Sequence, residues 1–196
     1  MLTPPSSRSL TVAVLAALLF AGGCDRQTTE PAQPAESASG GEQKTFNGTL
    51  SIENRGAQMP DFALADPAGK KLTSADLKGK PVLINLWATW CGPCVQEMPM
   101  LDQLAGVDGG KLRVVTISED LAPQNTEKVG KFFAQRKFAH LEPWLDPDNT
   151  LADHYATGVL PTTVLYDAQG REVWRMIGGH DWVGPRTAAM LADTVG

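Results

Sequence analysis

The chain has 196 residues, of which 42% are hydrophobic and 20% charged, ordinary globular usage that excludes collagen-like, wholly disordered and multi-span membrane classes. That length accommodates one domain of about 100–200 residues with extensions. Seventeen Lys and Arg stand against 22 Asp and Glu, a net charge of -5, so the basic footprint that binds phosphate backbones is missing and nucleic acid is not an expected partner. The three cysteines, Cys24, Cys91 and Cys94, are too few for the disulfide framework of a small secreted domain.

In chain order, the first segment reads as an address. Ser9 to Gly23 carry no charge and are mostly Val, Ala and Leu, with Arg8 in front and the small residues Ala21, Gly22 and Gly23 behind. This run of 15 residues is shorter than the ~20 needed to cross a bilayer, so residues 1–23 are expected to be a cleaved signal peptide rather than a permanent span. Ala21-Gly22-Gly23-Cys24 resembles a bacterial lipobox with Ala21 in place of the usual Leu, which implies lipidation of Cys24; plain secretion and an uncleaved anchor are the alternatives. Asp25 resembles an inner-membrane retention signal, or is simply an acidic linker residue. Residues 25–45 are rich in Pro, Ser, Gln and Glu, with three alanines as their apolar side chains, and are expected to be a flexible tether with a mean reach of ~25 Å. The folded domain is expected over residues 46–196.

Within it, Asp61–Ala65, the turn Asp66-Pro67-Ala68-Gly69 and Lys70–Thr73 predict a small hairpin, and Ser74 is expected to cap one helical turn ending at Gly79. Pro81–Trp87 is almost continuously apolar, the pattern of a strand covered on both faces. Helical spacing follows from Pro93 through Val107, with Pro99 as an expected kink. A second central strand over Leu112–Ser118, a helix over Asn125–Lys137, a short strand near Leu141 and a helix over Asp148–Tyr155 come next. Thr162–Asp167 and Glu172–Ile177 predict an antiparallel hairpin before a terminal helix over Thr187–Val195. The pattern is an α/β fold: a mixed central sheet with helices on both faces.

Trp90-Cys91-Gly92-Pro93-Cys94 falls where the first central strand passes into its helix. Free backbone N–H groups and the macrodipole at a helix N-terminus favour an anion, so Cys91 is the nucleophile by position. Two intervening residues bring Cys94 close enough to resolve a mixed disulfide, with Pro93 preset for the helix start and Gly92 relieving crowding. Three other readings compete. Zinc needs two further ligands, and His140, His154 and His180 lack the H-x₃₋₅-H spacing, so no metal is expected. A purely structural disulfide remains open. A peroxidase of the peroxiredoxin pattern asks for Pro and Thr seven and three residues before the Cys, where Ile84 and Ala88 stand.

Asn85-Leu86-Trp87-Ala88-Thr89-Trp90-Cys91-Gly92-Pro93-Cys94 together with Leu160-Pro161-Thr162-Thr163 resembles the thioredoxin superfamily, and more narrowly the exported, membrane-tethered TlpA/ResA-like disulfide reductases, over roughly residues 58–180. The resemblance implies a thioredoxin-like fold with an N-terminal β-hairpin and a central βα insertion between Asn125 and Tyr155. It implies a cis Pro161 packed on the cysteines and a Leu160 backbone that pairs with the substrate strand; an ordinary trans Pro at a strand start is the plain alternative. One departure matters. Thioredoxins place a buried Asp six residues before the first Cys, and Asn85 stands here, so the resolving thiol needs another proton acceptor. Glu97, one turn after Cys94, resembles the acidic residue that ResA-like reductases hold near their cysteines; a solvated helix Glu is the alternative. Trp90 is expected at the docking rim with Gly92 and Pro93, Trp87 and the Phe132–Phe133 pair in the core, and Lys70, Lys71, Lys78 and Lys80 on a solvated face.

The reading is a lipid-anchored thiol:disulfide oxidoreductase on the periplasmic side of the cytoplasmic membrane, reducing protein disulfides, with no cofactor beyond the redox-active Cys91–Cys94 pair. Gly-Pro between the cysteines is the pair of strongly reducing thioredoxins, near ~-270 mV. By resemblance, electrons come from a membrane thiol carrier of the DsbD/CcdA type, and apocytochrome c is one family substrate. A periplasmic disulfide oxidase or isomerase is the alternative, and a non-catalytic copper-binding or adaptor lipoprotein on the same fold is a third.

Overall fold

Strand β4 (Val82–Trp87) is buried along its whole length and organises the domain. Its alternate side chains feed two cores: Leu83 and Trp87 join one apolar cluster, and Val82, Ile84 and Leu86 join the other. The computed structural model describes residues 46–195 apart from 108, 122–124 and 147, within the second of two units, Gln43–Gly196. The signal peptide, the tether and Cys24 lie outside the described residues.

In chain order the strands are β1 (Thr49–Ser51), β2 (Ala63–Ala65), β3 (Lys71–Thr73), β4, β5 (Arg113–Ser118), β6 (Trp144–Leu145), β7 (Thr162–Tyr166) and β8 (Glu172–Ile177). The helices are α1 (Gly92–Val107), α2 (Asn125–Arg136), α3 (Thr150–Tyr155) and α4 (Pro185–Val195). The eight strands form one sheet in the order β1-β8-β7-β4-β5-β6-β2-β3. β4 runs parallel to β5, in register from Val82↔Arg113 to Trp87↔Ser118, and antiparallel to β7, from Val82↔Tyr166 to Leu86↔Thr162. Against one face pack Met98, Leu101 and Leu104 of α1, Val129 of α2 and Leu191 of α4; against the other pack Leu151 and Tyr155 of α3 and Leu77 of a 3-10 turn. This is the mixed, doubly covered sheet expected for a thioredoxin-like fold.

The predicted hairpin forms β2 and β3, its turn closed by Asp66 Oδ1, which accepts from the Ala68 and Lys70 N–H groups at 2.9 and 2.8 Å, and by Gly69 at φ +87°. At three places the structure differs from the local reading of the sequence. The capped turn (Ser74–Leu77) starts from Thr73, whose N–H and hydroxyl both donate to the Asp76 carboxylate at 2.8 and 2.7 Å, while Ser74 donates to Asp61 instead. The short strand begins at Trp144 and not near Leu141, because the Asp102 carboxylate of α1 takes the N–H groups of Ala139, His140 and Leu141 and holds that stretch off the sheet. The third is an omission: β1, three residues at a sheet edge and largely exposed, carries no alternating apolar pattern to reveal it.

α3 starts at Thr150, where the Asp146 side chain accepts from the N–H groups of Thr150 and Leu151 at 3.1 and 2.7 Å. α1 runs through Pro99 as one helix of 16 residues. Trp87 lies in the core with ring centroids 4.9 and 6.0 Å from Phe132 and Phe133. Of the four lysines placed on a solvated face, Lys70 pairs with Glu142 and lies over the Trp144 ring, and Lys80 Nζ donates to the Gly110 carbonyl.

Candidate active site

The chain leaves β4 at Trp87, turns through Ala88–Trp90 and enters α1 at Gly92, so both cysteines sit at the first helical turn above the carboxyl ends of β4 and β5. They are joined as a disulfide with Sγ atoms 2.02 Å and Cα atoms 5.3 Å apart. The two sulfurs are not equivalent: Cys91 retains 6% exposure and Cys94 none. The Cys94 N–H, one of the free donors of the helix start, points at Cys91 Sγ at 3.3 Å, an arrangement that favours negative charge on that sulfur. The turn before them is pinned by Asp120, a buried residue just past the end of β5, which accepts from Thr89 and from Ser118.

Gly92 does not relieve crowding, as a Cβ built there meets nothing within 4 Å; its place is on an open rim. Pro93 packs from that rim toward Gly179, where an added Cβ would come within 3.6 Å of Pro93 and 3.1 Å of the Phe46 ring. Trp90 is 70% exposed. The Leu160–Pro161 bond is cis, and the Pro161 carbonyl accepts from the Gly178 N–H at 2.8 Å. Trp90 and Leu160 meet across a cleft of about 260 Å³, with Leu86, Ala152, Val159 and Glu119 as further walls.

Glu97 is not a solvated helix residue: it is fully buried on the face of α1 that carries Cys94. Its Oε1 accepts from Asn85 Nδ2 at 2.7 Å, and its Oε2 from the His180 backbone N–H at 3.2 Å. Burial pushes its carboxyl up to about 7, against the pull of those two hydrogen bonds and of the nearby Trp182 indole N–H, which has no partner of good geometry. A carboxyl group poised there exchanges protons near neutral pH. The His180 ring itself turns away, to Thr187 Oγ1 at 2.9 Å, and burial lowers its proton affinity.

Two residues near the site escape sequence reasoning. His180 contributes a backbone group from a loop without a motif. Glu119, at the end of β5 in the cleft beside Trp90, is raised to about 8 by burial and then by the Asp146 and Asp153 carboxylates, and its Oε1 has no partner. Its signal was its position at the carboxyl end of a central strand, where α/β sheets bind ligands. Among the described residues no group of three or more His, Cys, Asp or Glu could hold a metal ion.

An open sheet of this order, with a cysteine pair at the first turn of the helix after its central strand and a cis proline opposite, defines a thioredoxin-fold dithiol–disulfide protein. Residues 54–190 match the Redoxin family, and the chain belongs to it, among thiol-disulfide oxidoreductases of the ResA kind. It is 34% identical over 124 residues to the thiol-disulfide oxidoreductase ResA of Bacillus cereus, covering 63% of this chain and 69% of that one. It is also 39% identical over 115 residues to the thioredoxin-like protein YneN of Bacillus subtilis, covering 59% and 66%. A crystal structure from Chlorobium tepidum, assigned as a thiol:disulfide interchange protein DsbE, superposes with a TM-score of 0.63 at 27% identity, covering 72% of this chain and 98% of that one. The chain is a thiol-disulfide oxidoreductase.

Proposed function

We propose that this protein works as a reductant of protein disulfides outside the cytoplasm, held by lipid at Cys24 on the periplasmic side of the cytoplasmic membrane. The observation that carries the chemistry is the asymmetry of the pair, with Cys91 slightly exposed and facing a helix N–H, and Cys94 fully enclosed on the helix face that also carries the buried Glu97.

In the reduced protein the Cys91 thiolate attacks a substrate disulfide, forming a Cys91–substrate bond and releasing the first substrate thiolate. Glu97, as carboxylate, takes the proton from the Cys94 thiol. The Cys94 thiolate then attacks Cys91 Sγ, closing the disulfide and releasing the second substrate thiolate. Two electrons pass to the substrate. The Leu160 backbone and the cis Pro161 present the substrate strand, and Trp90, Gly92 and Pro93 form the rim on which it docks. A membrane thiol carrier of the DsbD/CcdA type returns the electrons, and reduction of apocytochrome c before haem attachment is one task that fits. The likeness to ResA proteins and to a DsbE structure supports this reading.

The test has two arms. Cys94→Ser traps the mixed disulfide with a protein substrate, whereas Cys91→Ser traps nothing. The potential of the pair, read by alkylation after equilibration with dithiothreitol or glutathione, is expected well below the ~-180 mV of disulfide isomerases. A value near ~-120 mV overturns the reductive direction in favour of an oxidase, and a pair that never exchanges leaves the adaptor reading.

A further inference from the structure

Asn85 lies in the middle of β4, fully buried, and its carboxamide is used on one side only. Its Nδ2 donates to Glu97 Oε1 at 2.7 Å and to Thr163 Oγ1 at 2.9 Å, while its Oδ1 meets no donor. A buried acceptor left bare costs about 1–3 kcal/mol, so a side chain that leaves one bare invites an explanation. Both partners on the occupied side can change role. A threonine hydroxyl donates or accepts by rotation, and a carboxylate becomes a donor when it takes a proton. Turning the amide over about its Cβ–Cγ bond puts Oδ1 where Nδ2 now stands and Nδ2 where Oδ1 meets no donor, so the partners that tell the two orientations apart are Glu97 and Thr163. Against a neutral Glu97 that orientation gives the oxygen two donors, the carboxyl O–H and the Thr163 hydroxyl; against a charged Glu97 it sets oxygen against oxygen. Each protonation state of Glu97 therefore selects one orientation of the same amide.

We infer that Asn85, backed by Thr163, is a positioning residue that follows the proton on Glu97, donating to the carboxylate and, turned over, accepting from the carboxylic acid. This rests on Glu97 as the proton acceptor for Cys94. It accounts for an uncharged residue at this place in the core. An aspartate would offer Glu97 only acceptors unless it held a proton itself, and a leucine would remove the bonds that Asn85 makes to Glu97 Oε1 and to Thr163, leaving Glu97 with the His180 N–H on Oε2. On α1, Cys94 lies one turn before Glu97 on the same buried face and is held in the disulfide. From the loop after β8 comes His180, whose ring is engaged by Thr187, with Asp181 and Arg186 acting on that ring and not on Glu97. β4 and β7 present only the uncharged Asn85 and Thr163.

The test is nuclear magnetic resonance on the whole protein with its tether, in the oxidised state. The Glu97 carboxyl ¹³C shift gives the midpoint of its titration, and cross-relaxation between the Asn85 amide protons and the Thr163 methyl reports the orientation of the amide. The expected result is contact at high pH and its loss at low pH, with the midpoint of Glu97. Contact that persists once Glu97 is neutral overturns the inference while leaving Glu97 as proton acceptor. A second measurement is resolution of the mixed disulfide at pH 7 in a single turnover. Thr163→Val is expected to slow it about five- to tenfold, the worth of one buried hydrogen bond, and Thr163→Ser, which keeps the hydroxyl, to restore it. Equal rates in Thr163→Val and the parent overturn the inference. A Glu97→Gln protein that resolves at the parent rate removes the function reading beneath it instead.

Discussion

Asp120 reaches back 31 residues in sequence to Thr89, accepting from its N–H at 2.8 Å and from its hydroxyl at 2.6 Å, and so ties the turn that carries Trp90 and Cys91 to the end of β5. Ser118 Oγ adds a third bond to the same carboxylate at 2.8 Å. Asp120→Ala leaves three donors bare in a largely buried place and is expected to destabilise the domain by about 2–4 kcal/mol. Urea unfolding measures that, and faster reaction of reduced Cys91 with bulky alkylating agents is expected alongside it as the turn loosens.

Glu97 and Glu119 make stability depend on pH in an uncommon direction. Each is raised in the folded state above an unfolded value near 4.5, to about 7 and about 8, so between those values the native state binds more protons than the unfolded chain. Their contribution is fully present below about 4.5 and is lost as pH rises, for Glu97 through about 7 and for Glu119 through about 8. Thermal unfolding of the oxidised protein is therefore expected to show Tm falling from pH 5.5 to pH 8.5, and Glu97→Gln and Glu119→Gln each to flatten that slope. A Tm that rises across this window would contradict both assignments.

Arg175 and Glu172 form a two-pronged ion pair inside the second core, with Nε–Oε1 at 2.6 Å and Nη2–Oε2 at 2.9 Å, and Arg175 Nη1 also donates to the Tyr155 carbonyl at 3.2 Å. Residues three apart in a regular strand face opposite ways; here the ladder shifts between Leu165 and Tyr166, and Glu172 comes to the same side as Arg175. Glu172→Gln strands a buried guanidinium and is expected to cost about 3–5 kcal/mol in urea unfolding. The double replacement Glu172→Leu with Arg175→Met is expected to recover most of it, because it removes both charges together.

Trp90 is exposed and lies on the cleft shared with Leu160 and Val159. Trp90→Ala is thus expected to change stability by less than about 0.5 kcal/mol, since surface changes away from packed features are close to neutral. Its cost falls on docking: KM for a protein disulfide is expected to rise about tenfold, the scale of one lost aromatic anchor, with a much smaller change for a small-molecule disulfide. Equal loss on both substrates would place Trp90 in the chemistry rather than at the rim.

Much of this molecule was legible in the sequence wherever a structural cause lies within a few residues. The buried run Val82–Trp87, the turn at Asp66–Gly69 and the cysteine pair at a strand-to-helix seam are local patterns, and each appears where the sequence places it. Resemblance added the cis bond before Pro161. What stayed hidden depends on distant chain. Leu141 looked like strand until Asp102 took its N–H, and Glu119 looked like any acidic residue after a strand until Asp146 and Asp153 came beside it. Glu97 shows the division most clearly. Helical spacing put it on the face of Cys94, but a helix position alone does not say whether that face meets water. Only the tertiary structure, by burying that face completely, excludes water and moves its carboxyl up to about 7 against the hydrogen bonds from His180 and Asn85, because desolvation is a property of everything packed around a group and not of the residue that bears it.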